Sequence, residues 1–390
     1  MTPGARVQAA IEILQAIIDG AAAERELTAW ARRARYAGSK DRAAVRDHVY
    51  DTLRRLRSSA WRGGLGEVDG LADIHDPARL VAGMLLDRGQ DLAALFTGAG
   101  HAPSPIDLPP DPGAMPDRVA ADLPDWVFDR LKAEYGRRAT GLAAALRDRA
   151  PVILRANLRR ITRPALISEL GEHGIGANPH PISPTAVEVD GAPRGLTGLA
   201  AFCAGAFELQ DAGSQAMADR LPDDGDRVLD LCAGGGGKAL ALAARGARHI
   251  LAHDAAPRRL RDLPERAARA GAAIKIIEVP EAGAPFDGVI ADVPCSGTGS
   301  WRRAPEARWR LSEGDLSALI ETQRSILSRA ISLTRPGGWI AYMTCSLLQA
   351  ENMAQIEDCL RDGGVTLDFT WSCTPFDGCD GFYLGLLRRL

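Results

Sequence analysis

Along residues 207–390, short apolar runs alternate with stretches of helical periodicity. "RVLDLC" (227–232), "HILAHD" (249–254), "AAIKIIEV" (272–279), "FDGVIADV" (286–293) and "GWIAYMTCS" (338–346) read as strands, and helices are expected over 238–245, 257–270, 315–334 and 350–361. Two further strands close the chain. Strand–helix alternation of this kind predicts a doubly wound α/β sheet. Upstream the pattern changes. Residues 1–95 read as helices: "ARVQAAIEILQAIID" puts Val7, Ile11, Leu14 and Ile18 on one face, and "DRAAVRDHVYDTLRRLR" does the same with Val45, Val49, Leu53 and Leu56. A Pro/Gly-rich linker is expected at 98–117. After it come the helix "LPDWVFDRLKAEYG", the alternating "PVILRANLRRI" and the helix "TRPALISELGEHG" closed by glycine, which together suggest a small α+β unit. Three domains are therefore expected, over 1–125, 126–205 and 206–390, with no internal repeat.

Composition narrows the class. With 390 residues, 46% hydrophobic and 25% charged, the chain is long enough for a sizeable core. No run approaches the ~20 apolar residues of a spanning helix, and no signal-peptide pattern follows Met1. A cytoplasmic protein without membrane attachment is expected. The seven cysteines include no Cys-x-x-Cys pair, so reduced thiols are expected, with neither a disulfide framework nor a metal site. The net charge of −3 gives no global reason to expect nucleic acid, but residues 1–62 carry 12 Lys and Arg against 7 Asp and Glu.

The strongest ligand signal is "VLDLCAGGGGKALALAA", where a strand breaks into four glycines and restarts as a helix. Glycine lets a ligand approach the backbone, and the helix start offers unpaired N–H groups. A phosphate-binding loop is disfavoured by Cys232, where its first glycine belongs, and by Ala239, where Ser or Thr belongs. A dinucleotide fingerprint, Gly234-x-Gly236-x-x-Ala239 with Asp254 ending the next strand, matches weakly. S-adenosylmethionine fits the same loop of Cys232, Ala233, Gly234, Gly235, Gly236, Gly237 and Lys238, with Asp254 placed to hold ribose hydroxyls. Two cysteine motifs end later strands: Asp292 and Cys295 in "DVPCSGTG", and Cys345 in "YMTCSLLQAEN". In a doubly wound sheet all three would face the crevice beside the glycine loop. A cysteine alone is commonly a small buried hydrophobe; two in matched contexts suggest chemistry. "SWRRAPEARWR" interleaves Arg302, Arg303, Arg308 and Arg310 with Trp301 and Trp309, and "ILRANLRR" supplies Arg155, Arg159 and Arg160, candidates for phosphate contact and base stacking.

"FELQDAGSQ", "DLCAGGGGK", "DVPCSGTG", "TCSLLQAEN" and "CDGFYLGLLRR" together resemble the ordered motifs of the 5-methylcytosine RNA methyltransferase family. The helical N-terminus, with "DRAAVRDHVYDTLRRLR", is similar to the NusB-like domain of the branch that acts on small-subunit ribosomal RNA. The resemblance covers nearly the whole chain, most strongly from about residue 145. It implies a Rossmann-like class I S-adenosylmethionine-dependent methyltransferase domain, preceded by a small α+β domain and an all-α NusB-like domain. It also implies a monomer acting on RNA. Two departures stand out: Gly234 and Gly235 replace the family's Ala-Pro, which predicts a looser cofactor loop, and only Glu278 or Glu281 stands where the family carries an acid near the adenine.

The chemistry gives two thiols a purpose. Carbon 5 of cytosine is a poor nucleophile until a thiolate adds to carbon 6, and the adduct must then lose the carbon-5 proton to a base and expel the thiolate. By resemblance Cys345 is the nucleophile and Cys295 assists release, with Asp292 and Lys238 stabilising charge on the ring. Three alternatives stay open: transfer RNA as substrate, a non-catalytic RNA-binding factor that keeps the fold, and a nicotinamide-dependent dehydrogenase with a catalytic cysteine.

Overall fold

The computed structural model describes residues 1–110, 113–191, 193–247 and 249–390; Asp111 and Pro112 of the expected linker lie outside the described residues. The chain divides into two compact units, Met1–Arg149 with Trp301–Ser312, and Ala150–Ser300 with Glu313–Leu390.

The first unit is helical. Its main helices are Pro3–Ile18, Ala23–Arg33, Ser39–Arg54, Leu56–Arg62, Pro77–Asp87, Asp125–Tyr135 and Ala139–Ala145. Thr2 starts the first by accepting a hydrogen bond from the Ala5 amide, and Asp76 caps the Pro77–Asp87 helix through the amides of Ala78 and Arg79. The two sequence-expected apolar faces meet in one core: Val7, Ile11 and Leu14 pack with Val45, Val49, Leu53, Leu56 and Trp30. Trp309 joins this core from far along the chain.

In the second unit, β1 (Val152–Ala156), β2 (Ala177–Pro179), β3 (Ala186–Val189) and β4 (Phe207–Leu209) form an antiparallel sheet in the order β2-β3-β1-β4. The helix Arg163–Glu172, capped by Thr162, buries Leu166 and Leu170 against Leu154, Val187 and Phe207. Because β4 pairs with β1, the small sheet extends past the boundary expected at residue 205.

The larger sheet contains β5 (Arg227–Asp230), β6 (His249–Ala252), β7 (Ile274–Ile276), β8 (Phe286–Asp292), β9 (Thr334–Thr344), β10 (Val365–Cys373) and β11 (Phe382–Arg389), in the order β10-β11-β9-β8-β5-β6-β7. Strands β5 to β9 pair in parallel, while β11 runs antiparallel between β9 and β10. Alternate residues supply two cores. Leu229, Val289, Ala291 and Ile340 pack under the helices Glu313–Leu333 and Met353–Asp362, whereas Val228, Ile290 and Ala341 pack with Met217, Ala239 and Leu242. From β5 the chain winds outward to β6 and β7, then crosses back to β8 on the other side of β5. This reversal opens a crevice at the carboxyl ends of β5 and β8, where ligands of doubly wound sheets bind.

Candidate active site

The glycine turn follows β5 directly and ends at the helix Gly237–Arg245. Gly234 and Gly236 sit at φ +50° and +80°, in the left-handed region that a side chain disfavours. The expected looseness of this loop is corrected by its contacts. The Gly234 amide donates to Asp254 Oδ2 at 3.0 Å, and Asp254 also pairs with Arg259 at 3.1 Å. Arg266 Nη1 donates to the Gly235 carbonyl while its other nitrogens hold buried Glu208 at 3.0 and 3.2 Å. A Cβ at Gly235 would stand 2.7 Å from that Arg266 nitrogen. Arg266 and Asp254 therefore bond the loop's backbone at Gly235 and Gly234, where the family carries Ala-Pro.

Three carboxylates and a lysine surround this turn. Lys238 Nζ is buried and donates to Asp292 Oδ2 at 3.0 Å and Ser214 Oγ at 2.9 Å. Asp254 follows β6 and accepts the Ala256 amide as well as that of Gly234. Asp230, at the end of β5, is 1% exposed, and among the described residues neither of its oxygens has a hydrogen-bond partner of normal geometry. Burial, together with nearby Asp292, raises its carboxyl to about 7 against the opposing pull of Lys238 and the Ala239 amide. Asp230 was not singled out from the sequence, although an acid ending a strand immediately before a glycine turn was a usable signal. Glu278 is exposed two residues beyond β7, and Glu281 is held by Arg329 at 2.8 Å. Cys232, at the mouth of the loop, is pushed up to about 12 by burial and by the carboxylates of Asp230, Asp292 and Asp254, so it stays a thiol.

The two expected cysteines meet. Cys295 Sγ and Cys345 Sγ are 3.3 Å apart, and the Cys345 amide also points at Cys295 Sγ at 3.3 Å. The pair is asymmetric. Cys345 is lowered, chiefly by the hydrogen bond from Cys295, with Ser300 Oγ at 3.7 Å and Lys238 adding to the effect against desolvation and Asp292. Cys295 is raised well above the ordinary thiol range by its bond to Cys345, by desolvation, and by the negative charges of Cys345 and Glu351. These directions favour Cys345 over Cys295 as the sulfur that carries the charge of the pair. The loop of Cys295 is fixed from both ends. Gly299 donates to the Cys345 carbonyl, and Gly381 of the closing "CDGFYLG" stretch donates to the Gly299 carbonyl, each at 2.9 Å. A Cβ on Gly299 would lie 2.2 Å from the Gly381 oxygen.

Several residues expected to face RNA are instead committed to the interior. Arg155 is buried, with Nη1 bonded to Gln210 Oε1 and, at 2.8 Å, to the Gly237 carbonyl, so it supports the glycine loop. Arg308 is fully buried and donates to the carbonyls of Asp122 and Leu146, and Trp309 Nε1 donates to the Leu53 carbonyl at 2.7 Å. Trp301 and Arg302 are buried too, and Arg310 reaches the carbonyls of Ile17 and Ala21. Arg159, Arg160, Arg303 and Arg310 remain exposed, Arg310 while bonded to backbone carbonyls. Spacing could not distinguish these cases, because a basic, aromatic stretch reads alike whether it lies on a surface or anchors a core.

The order of the large sheet, its two antiparallel closing strands, the glycine turn after β5 and the acid after β6 define a Rossmann-like fold of the methyltransferase type. Comparison with known proteins gives the particular family. A family model described as 16S rRNA methyltransferase RsmB/F matches residues 219–376, and one for the RsmF/B-like ferredoxin-like domain matches residues 123–194. The ribosomal RNA small subunit methyltransferase B of Yersinia pestis is 34% identical over 286 residues, covering 68% of this chain and 66% of that protein. Its namesake from Xanthomonas campestris is 35% identical over 252 residues, covering 62% and 57%. Among solved structures, that of PH0851 aligns over 100% of this chain and 99% of its own at a TM-score of 0.79 and 22% identity. NSun6 from Pyrococcus horikoshii, solved with SFG, aligns over 68% and 98% at 0.61 and 20%. The chain belongs to the RsmB/F family.

Proposed function

We propose that this protein transfers a methyl group from S-adenosylmethionine to carbon 5 of a cytosine in RNA, through a covalent adduct with Cys345. The observation that carries the reading is the pair of sulfurs 3.3 Å apart, each in the loop that ends one of two neighbouring strands, beside Asp292 and Lys238. The site fits the cofactor. Asp230 offers two buried oxygens that, among the described residues, lack a hydrogen-bond partner and suit a cationic ligand, and Asp254, at the carboxyl end of β6 beside the glycine turn, is the candidate for the ribose hydroxyls. Cys232, Ala233, Lys238, Asp292 and Glu278 complete the candidate lining. Bound there, S-adenosylmethionine would supply an electrophilic methyl group.

The protein's own part lies in handling the base and its protons. Cys345 Sγ, the lower of the two thiols, adds to carbon 6 of cytosine and makes carbon 5 nucleophilic. Lys238 holds the Asp292 carboxylate toward the crevice, where it can accept from the ring edge. Bond formation at Cys345 consumes the thiolate whose charge and hydrogen bond raised Cys295. Cys295 then gives up its proton to solvent more readily, and as the thiolate it is a competent base that takes the proton from carbon 5. Loss of that proton restores the double bond as the Cys345–carbon 6 bond breaks, returning the thiolate. Each thiol therefore sets the ionisation of the other at the step where it is needed.

The names of the relatives favour small-subunit ribosomal RNA as substrate. Exposed Arg159, Arg160 and Arg303, with the basic helical unit read as a NusB-like RNA-binding domain, would contact phosphates. The target base has to be unpaired or flipped to reach a crevice at strand ends. Incubation with labelled S-adenosylmethionine and small-subunit ribosomal RNA should label the RNA, and bisulfite sequencing should place the label on a cytosine. RNA left unlabelled by folded, cofactor-bound protein would overturn the reading.

A further inference from the structure

Glu351 lies six residues beyond Cys345, in the short turn Gln349–Glu351, and is completely buried. Its carboxylate ties together the two loops that carry the thiols. Oε1 accepts from the Ser296 amide at 2.7 Å and from Gln323 Nε2 at 3.0 Å. Oε2 accepts from Ser296 Oγ at 2.5 Å and from Ser346 Oγ. Ser296 follows Cys295, and Ser346 follows Cys345. The surrounding bonds close the same junction: Tyr342 OH donates to the Glu351 carbonyl at 2.6 Å, Gln323 Nε2 to the Pro294 carbonyl at 3.0 Å, and the Leu347 amide to Thr298 Oγ1 at 2.7 Å. Every polar group facing the carboxylate is a donor, and the Ser296 amide cannot reverse its role, so an acceptor-only side chain suits the site. A buried carboxylate with four donors is costly to disturb and holds its partners in one arrangement.

We propose that Glu351 is the positioning residue that holds the Cys295 and Cys345 loops in register, so that the two sulfurs act as a single proton-sharing pair. Without it, the loops keep the Leu347–Thr298 and Gly299–Cys345 bonds but lose the carboxylate that joins the residues next to the two thiols, and the sulfurs drift out of register. This rests on the two-thiol reading of the function, but its test does not depend on methyl transfer.

The test measures the thiols directly. Alkylation of the folded protein by iodoacetamide, followed over pH 5 to 10 with mass spectrometry of each cysteine peptide, gives separate rates for Cys295 and Cys345. In the parent protein Cys345 should react well below the pH at which Cys295 does. In Glu351→Gln, with folding confirmed by circular dichroism, the ratio of the two rates at pH 7.5 should fall at least tenfold as both thiols move toward ordinary behaviour. Turnover should drop with little change in KM for cofactor. An unchanged ratio in folded Glu351→Gln would contradict the proposal even if activity fell. Should that variant fail to fold, Ser346→Ala and Ser296→Ala each delete one side-chain bond to the carboxylate. A reduced ratio in both supports the tie, and an unchanged ratio in both overturns it. In the parent protein, absence of methyl transfer together with the expected difference between the two thiols would count against the proposed reaction, not against a pair held by Glu351.

Discussion

At the scale of single residues, the site depends on groups whose ionisation is set by their neighbours. The lowered Cys345 predicts that adduct formation with RNA rises with pH to a midpoint below the ~8.5 of an ordinary thiol. Because the bond from Cys295 is the largest cause of that lowering, Cys295→Ala should move the midpoint upward, as read from the pH dependence of adduct yield. Asp230 gives a stability prediction with a definite sign. Its folded-state value near 7 exceeds the ~3.9 of an unfolded chain, so between those values the folded state holds the extra proton. Stability falls as pH rises through that window and is flat above it. Asp230→Asn should therefore raise the melting temperature of the cofactor-free protein more at pH 8 than at pH 5, with an effect bounded at about 4 kcal/mol. The same variant should bind S-adenosylmethionine more weakly in calorimetry. The cysteines and the lysine were legible in the sequence because their motifs name them. Asp230 and Glu351 were not, because what marks them is a missing partner in one case and four converging donors in the other, and both are facts of tertiary contact.

At the scale of elements, the strand and helix rhythm of residues 227–390 was readable from periodicity, since each strand is a run of apolar residues between polar helices. The cross-bracing of the glycine loop was not. Replacing Ala-Pro by two glycines reads as loosening until Arg266 is seen on the Gly235 carbonyl and Arg259 on Asp254. This bracing makes a specific prediction. Arg266→Ala frees the loop and leaves buried Glu208 with only Arg269 at 2.5 Å, so cofactor affinity in calorimetry should weaken about tenfold, or ~1.4 kcal/mol. A pre-ordered loop that did not need the arginine would show no change.

At the scale of the whole molecule, the chain visits its first unit twice. Trp301–Ser312 interrupts the second unit between the Cys295 loop and the helix Glu313–Leu333, and it packs into the helical unit through Trp309 and Arg308. Sequence reading placed these residues on an RNA-facing surface because their composition suits it; burial and backbone hydrogen bonds give them a structural task instead. Trp309→Ala should cost the helical unit about 3–5 kcal/mol, as expected for emptying a buried tryptophan site. Hydrogen exchange should show the loss concentrated in residues 3–87.

The central claim is a division of labour between two touching sulfurs, and the protein–RNA adduct reports on it directly. Each variant would be incubated with S-adenosylmethionine and labelled small-subunit ribosomal RNA, then resolved on a denaturing gel. Cys295→Ser should accumulate a stable adduct, because attack proceeds and release does not, and Cys345→Ser should form none. An adduct in Cys345→Ser with none in Cys295→Ser would reverse the roles and contradict the account.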